Sequence, residues 1–155
     1  MAWPIEVAQS GSEILAVQEL WTEYWQSLGF SLDFQNFAEE LCTLPGKYGP
    51  PEGCLLFVLI DGKPAGTAAF RPLSRYECEA KRLYVRPAYR RRGVAAALLA
   101  RLIAEARRSG YRHLYGDTLG TMAPALDLYR GLGFLEVGPY SDDPTPGAIY
   151  LRLSL

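Results

Sequence analysis

A mixed α/β domain, α+β in character with helices covering one central sheet, is the fold class this sequence predicts. Three observations predict it. Two apolar-periodic helical stretches come first, an Asp-Gly hairpin signal then joins two strand-like runs, and strand-helix-strand-helix order follows. With 155 residues, 49% of them apolar, the chain is sized for a single domain over residues 1–155 with a continuous core.

Ile14, Val17, Trp21, Tyr24 and Leu28 recur at helical steps, which predicts an amphipathic helix over Ser12–Leu28 capped by Ser12 or Gly11. Phe34, Phe37, Ala38 and Leu41 predict a shorter helix over Phe34–Leu44, stopped by Pro45. Cys54–Ile60 and Pro64–Phe70 flank Asp61, Gly62 and Lys63 and read as an antiparallel hairpin. A third strand, Glu77–Val85, ends before Pro87. Val94, Leu98, Leu102 and Ala106 then mark the inner face of a helix reaching about Ser109, closed by Gly110. His113–Thr118 reads as a strand, Met122–Leu132 as a helix, and Phe134–Val137 with Ile149–Leu153 as a final antiparallel pair. The strand-helix-strand unit around residues 77–118 should be parallel and right-handed. Pro45–Gly53 and Asp142–Gly147 read as loops.

The formal net charge of -1, with both signs interspersed, argues against a nucleic-acid or bilayer binder, since each needs a broad basic surface. Any anion site must be local. Cys42, Cys54 and Cys78 are widely spaced and, with one histidine, make no zinc set, so a reduced, cytoplasmic setting without a metal is expected. Met1–Ser10 does not read as a signal peptide, and no apolar run is long enough to span a membrane.

The local anion site is the turn Arg90, Arg91, Arg92, Gly93, Val94, Ala95. A strand that runs through a glycine turn into a helix leaves several amides unpaired at the helix start, where the helix dipole also favours negative charge. Gly93 allows close backbone approach, Ala95 and Ala96 keep the entrance shallow, and Arg86 with Arg90, Arg91 and Arg92 adds guanidinium charge suited to phosphate oxygens. The Walker lysine-serine pair and the dinucleotide GxGxxG are both missing, which disfavours a nucleotide-binding module.

This turn strongly resembles the signature of the GNAT superfamily of N-acetyltransferases: Arg or Gln, two free positions, Gly, one free position, then Gly or Ala. Here it is Arg90, Gly93 and Ala95, preceded by the strand Lys81–Val85 and followed by Leu128, Tyr129, Arg130, Gly131, Leu132, Gly133 and Phe134. The resemblance implies a central, largely antiparallel sheet with one parallel, splayed strand pair at the cofactor site. It also implies acetyl-CoA as acyl donor and direct attack by an amine in a ternary complex.

Such a reaction needs a base for the amine, a donor for the thioester oxygen, a proton for the departing sulfur, and positioning. Glu79 stands at the family's spacing from Arg90 and is the expected base, acting through water; Glu77 lies on the same strand face and competes for the role. By the resemblance, the thioester carbonyl meets the Leu83 amide, Val85 pairs along the pantetheine arm, and Tyr129 is the general acid for the sulfur. The splay this needs beyond Leu83 could come from a β-bulge, which the sequence does not reveal. One departure is Met122, where many relatives carry a pantetheine-binding asparagine; Thr118 or Thr121 could substitute.

The acceptor, a small-molecule or peptide amine, cannot be identified from the turn. Trp21, Tyr24, Trp25, Phe30, Phe34, Tyr48 and Tyr140 form an aromatic-rich set, most of it expected in the core, with Tyr48 and Tyr140 the preferred pocket residues because they border loops. Arg71, Arg75, Lys81 and Arg82 could meet a carboxylate on the acceptor. His113 is expected to be structural, and Cys78 lacks a histidine partner for nucleophilic chemistry. A non-catalytic acyl-CoA-binding domain is the alternative, and Ile149–Leu153 could pair across a homodimer.

Overall fold

The computed structural model describes residues 3–27, 34–119, 123–140 and 147–155. Leu28, Phe30, Thr121, Met122 and the loop at 142–146 lie outside the described residues. The described strands form one seven-stranded sheet in the order β1-β2-β3-β4-β5-β7-β6. In chain order the elements are β1 (Ile5–Val7), α1 (Gly11–Ser27), α2 (Phe34–Cys42), β2 (Cys54–Ile60), β3 (Lys63–Pro72), β4 (Glu77–Val85), α3 (Val94–Arg108), β5 (His113–Leu119), α4 (Ala123–Gly131), β6 (Leu135–Val137) and β7 (Ala148–Ser154). All neighbouring pairs are antiparallel except β4 with β5, which is parallel.

Two differences from the sequence reading have local causes. The α1 cap is Ser10, whose carbonyl accepts the Ile14 amide, while Glu13 reaches back to accept the Ser10 and Gln9 amides at 2.8 and 3.0 Å. That is the return half of a capping box, and the two backbone bonds hold the Glu13 carboxyl below the usual carboxylate range. The α2 helix stops at Cys42 because the residue before Pro45 disfavours helical backbone; a single 3-10 turn, Gly46–Tyr48, follows.

Each face of the sheet carries its own core. On one face α3 lays Val94, Leu98, Leu99, Leu102 and Ala106 against Leu56, Val58, Phe70 and Ala80, joined by Leu126 and Tyr129 of α4. A fully buried leucine such as Leu98 or Leu102 contributes roughly 1.5–3 kcal/mol. On the other face Val17 and Trp21 of α1 and Phe37 of α2 pack on Leu55, Phe57, Ala69 and Tyr48. Among the described residues no helix is long and apolar enough to cross a membrane.

Candidate active site

The middle of the sheet is where its regularity breaks. Thr67 of β3 faces Tyr84 of β4, yet Ala69 faces Lys81, so Arg82 and Leu83 stand opposite Ala68 alone. This bulge puts Arg82 in the left-handed region at φ 61. On the other edge, β4 pairs with β5 only through Glu77–His113, Cys78–Leu114 and Glu79–Tyr115. Both strands run on, β4 to Val85 and β5 to Leu119, without pairing to each other. The Arg86 amide bonds Ala65 on the β3 side, so by strand alternation the peptide groups of Leu83 and Val85 point the other way, into the splay.

The splay leads into the arginine turn. Pro87–Tyr89 make a single 3-10 turn, Arg91 adopts φ 64, and Gly93 at φ 81 begins α3. No side chain caps this helix, and its first bond runs from the Ala97 amide to the Gly93 carbonyl, leaving the amides before Ala97 without helical partners. A Cβ built on Gly93 would meet nothing within 4 Å, so the glycine is required by its backbone angle rather than by crowding. Arg90 braces the turn: its Nε donates to the Val85 carbonyl at 2.8 Å and its guanidinium lies 5.7 Å from the Tyr84 ring. Arg91 and Arg92 are exposed beside the helix start, and the Arg92 carbonyl accepts the Trp3 indole N–H at 3.2 Å.

Arg86 does not belong to this group. Its guanidinium is held by Glu23 and Glu19 of α1 and donates to the Pro64 carbonyl at 2.8 Å, so it ties α1 to the end of β4 instead of facing an anion.

Tyr129 comes to the splay from the other face. It is buried, packed edge-on against Phe134 with ring centroids 5.0 Å apart. A Cβ on Gly116 would stand 3.4 Å from its ring and 3.7 Å from its hydroxyl. Gly116 follows Tyr115, the last β5 residue paired with β4, so the hydroxyl lies over the start of the splay. Burial, with smaller contributions from Tyr24 and Asp117, pushes the Tyr129 pKa up, and the phenol keeps its proton.

On the α1/α2 face a charged network lines β4 and β5. Arg71 donates to Glu79 Oε1 at 3.0 Å, and Lys81 Nζ stands 3.6 Å from Glu79 Oε2 and 4.0 Å from Asp117 Oδ1. Glu40 of α2 takes Lys47 at 2.8 Å and Arg82 at 3.0 Å; burial works to raise its pKa, but these two cations outweigh it and hold the carboxyl below the usual range. Glu77 accepts the Tyr115 and Ser74 hydroxyls at 2.8 and 3.1 Å. Tyr140 stacks obliquely between Tyr115 and Tyr150, at 4.9 and 5.1 Å, and its buried hydroxyl faces Glu79 without a partner at bonding distance among the described residues.

Tyr48 is placed differently from the expectation of a pocket residue on an exposed loop. Its 3-10 turn folds back onto the sheet, leaving the ring 1% exposed and edge-on to Trp21 at 5.2 Å, with the hydroxyl donating to Glu40. His113 sits at the paired start of β5, away from the splay. Cys78 is fully buried, and burial pushes its thiol up to about 12, which leaves no thiolate for nucleophilic chemistry. Among the described residues no group of His, Cys, Asp or Glu could hold a metal ion. The sequence reading missed Asp117 and Glu40; one is a mid-strand residue and the other a mid-helix residue, and only the tertiary fold brings them to Lys81 and Arg82.

Residues 14–134 match the Acetyltransferase (GNAT) family. The chain belongs to that family. This GNAT acyltransferase is 38% identical over 135 residues to an uncharacterized N-acetyltransferase of Schizosaccharomyces pombe, covering 86% of this chain and 83% of the relative. Its fold is similar to that of an acetyltransferase from Streptococcus agalactiae, with a TM-score of 0.82 at 18% identity, covering 100% of this chain and 99% of the other. It is also similar to YncA from Salmonella typhimurium, solved with its cofactor acetyl-CoA, with a TM-score of 0.74 at 21% identity over 99% and 94% of the two chains.

Proposed function

We propose that this GNAT protein transfers an acetyl group from acetyl-CoA to a primary amine of a small molecule, an amino-acid-like compound or a peptide, by direct attack in a ternary complex. The observation that carries the reading is one continuous path: an uncapped α3 start at Gly93, a strand edge at Leu83 and Val85 open toward β5, and the Tyr129 hydroxyl over Gly116. The amides from Gly93 to Ala96, with Arg91 and Arg92 beside them, suit a pyrophosphate. The splayed edge of β4 suits an amide-bearing arm that adds to it like a strand, with the Leu83 amide available to the thioester oxygen.

In this reading Glu79, through water at its Oε2, accepts one proton from the acceptor ammonium and passes it to solvent. The free amine forms its bond to the acetyl carbon, the carbon–sulfur bond breaks, and Tyr129 protonates the sulfur. The second proton lost by the nitrogen restores Tyr129, so one proton is released per turnover. Tyr140 lines the acceptor side, and Tyr48 supports it from behind through Glu40.

A thiol-release assay with acetyl-CoA across amines, amino acids, polyamines, aminoglycosides and peptides tests the proposal. Acceptor-dependent release is the expected result; tight CoA binding with no acceptor acylated would reject it. Gly93→Ala introduces a Cβ into open space at a left-handed position, at a conformational cost of roughly 1–2 kcal/mol. Calorimetry should show acetyl-CoA bound about 10-fold more weakly, ~1.4 kcal/mol, and an unchanged Kd would remove the turn from the site. Glu79→Gln keeps the Arg71 contact but not the base, and should lower kcat/KM on the order of 10-fold to 100-fold near neutral pH. The deficit should shrink as pH rises and more acceptor is already free amine. A constant deficit across the pH profile would assign Glu79 a positioning role.

A further inference from the structure

On the charged face beside the splay Glu79 Oε1, Glu40 and Glu77 are supplied with donors, whereas Asp117 and several donors lack a hydrogen-bond partner among the described residues. Glu79 Oε1 is taken by Arg71, Glu40 by Lys47, Arg82 and Tyr48, and Glu77 by Tyr115 and Ser74. The buried side-chain polar atoms without a partner among the described residues are Arg82 Nε and the Tyr140 hydroxyl, and both can donate. Lys81 adds a third unsupplied donor. At 3.6 and 4.0 Å its ammonium is in coulombic reach of Glu79 and Asp117 but beyond hydrogen-bond distance of either. A buried donor without an acceptor is costly, a cost that a ligand acceptor atom would relieve.

Resting on the acetyltransferase reading above, we infer that the acceptor is an α-amino acid type of compound, its carboxylate held by Lys81 and Tyr140 and its amine placed at Asp117. Asp117 is a partly exposed carboxylate of this face, with Lys81 as its single ion-pair contact among the described residues. It follows Gly116, beside which the Tyr129 hydroxyl stands, on the part of β5 beyond its last pair with β4. Because Lys81 Nζ and Asp117 Oδ1 are 4.0 Å apart, the two charges of a ligand bridging them must be close neighbours, as on one α-carbon. A polyamine would offer Asp117 a cation but would leave Lys81 and the Tyr140 hydroxyl without an acceptor. A protein lysine would offer an amine with no free carboxylate.

The test is the thiol-release assay run on matched sets: each common amino acid beside its carboxamide and its decarboxylated amine, with polyamines, aminoglycosides and peptides included. The free acid of the preferred side chain should exceed its carboxamide and amine in kcat/KM by about 10-fold or more. Lys81→Gln and Tyr140→Phe should each raise KM for the acid and shrink that ratio, lowering kcat/KM for the acid by a clearly larger factor than for the carboxamide. A structural role would lower acid and carboxamide alike, and an unchanged Kd for acetyl-CoA shows that the variants are folded. Carboxamides or decarboxylated amines acetylated as well as the acids would overturn the inference and leave the acetyltransferase reading standing. Acetylation of nothing in the panel would overturn both.

Discussion

Tyr129→Phe is expected to lower kcat about 100-fold, ~2.7 kcal/mol, with little change in the KM for acetyl-CoA. The ring is held by α4 against Phe134, over a residue that has no Cβ, and phenylalanine fills the same space. On the proposed mechanism what the variant loses is the proton, a loss felt only when the carbon–sulfur bond breaks. The sign of the pH dependence follows from the same burial. Because burial raises the Tyr129 pKa, the protonated acid is retained as pH climbs through the ordinary tyrosine range, so wild-type kcat should show no alkaline fall from this group up to about pH 10. A pH-rate profile of wild type and variant checks both points. Unchanged turnover at saturating substrates would return Tyr129 to a packing role.

Trp21→Ala should destabilise the protein by about 4 kcal/mol, the cost of removing a fully buried large aromatic from a core that can only partly collapse. Trp21 joins α1 to Phe37 of α2 and to Tyr48, and its indole N–H reaches Thr67 at 3.4 Å. The same ring lies under the Arg82 guanidinium, 5.6 Å away, so the variant should also loosen the bulged residue of β4. Urea unfolding followed by circular dichroism measures the first effect. Trp21→Phe, which keeps part of the packing, should recover more than half of the loss.

What was legible in the sequence is what short-range pattern dictates. Helical spacing located α1 and α3 to within a residue or two, and Asp61-Gly62 located the hairpin of β2 and β3. The arginine turn could be nominated from residue type and spacing, and Tyr129 from the family resemblance that the turn carries. Strand β1 is only three residues long and shows no periodicity, so pairing with β2 alone reveals it. The bulge at Arg82 is a mismatch of register between β3 and β4, a property of two strands that neither carries by itself. Arg86 was grouped with the turn by proximity in sequence, but the strand ends with its side chain toward α1, where Glu19 and Glu23 claim it. The Tyr140 hydroxyl could be nominated from its loop, whereas its lack of a partner is visible only once Tyr115, Tyr150 and Glu79 surround it.

The short parallel join between β4 and β5 has a mechanical meaning. The sheet is two half-sheets, β1 to β4 and β5 to β7, riveted by three residue pairs and free of each other beyond them. The middle rivet, Cys78 with Leu114, is fully buried, so the opening angle of the wedge is fixed by core packing at its closed end and not by anything lining its mouth. A methylene added or removed there would act like a change at a pivot. Its displacement would grow along the strands toward Leu83 and the Tyr129 hydroxyl, and the geometry of transfer would shift without any site residue being touched.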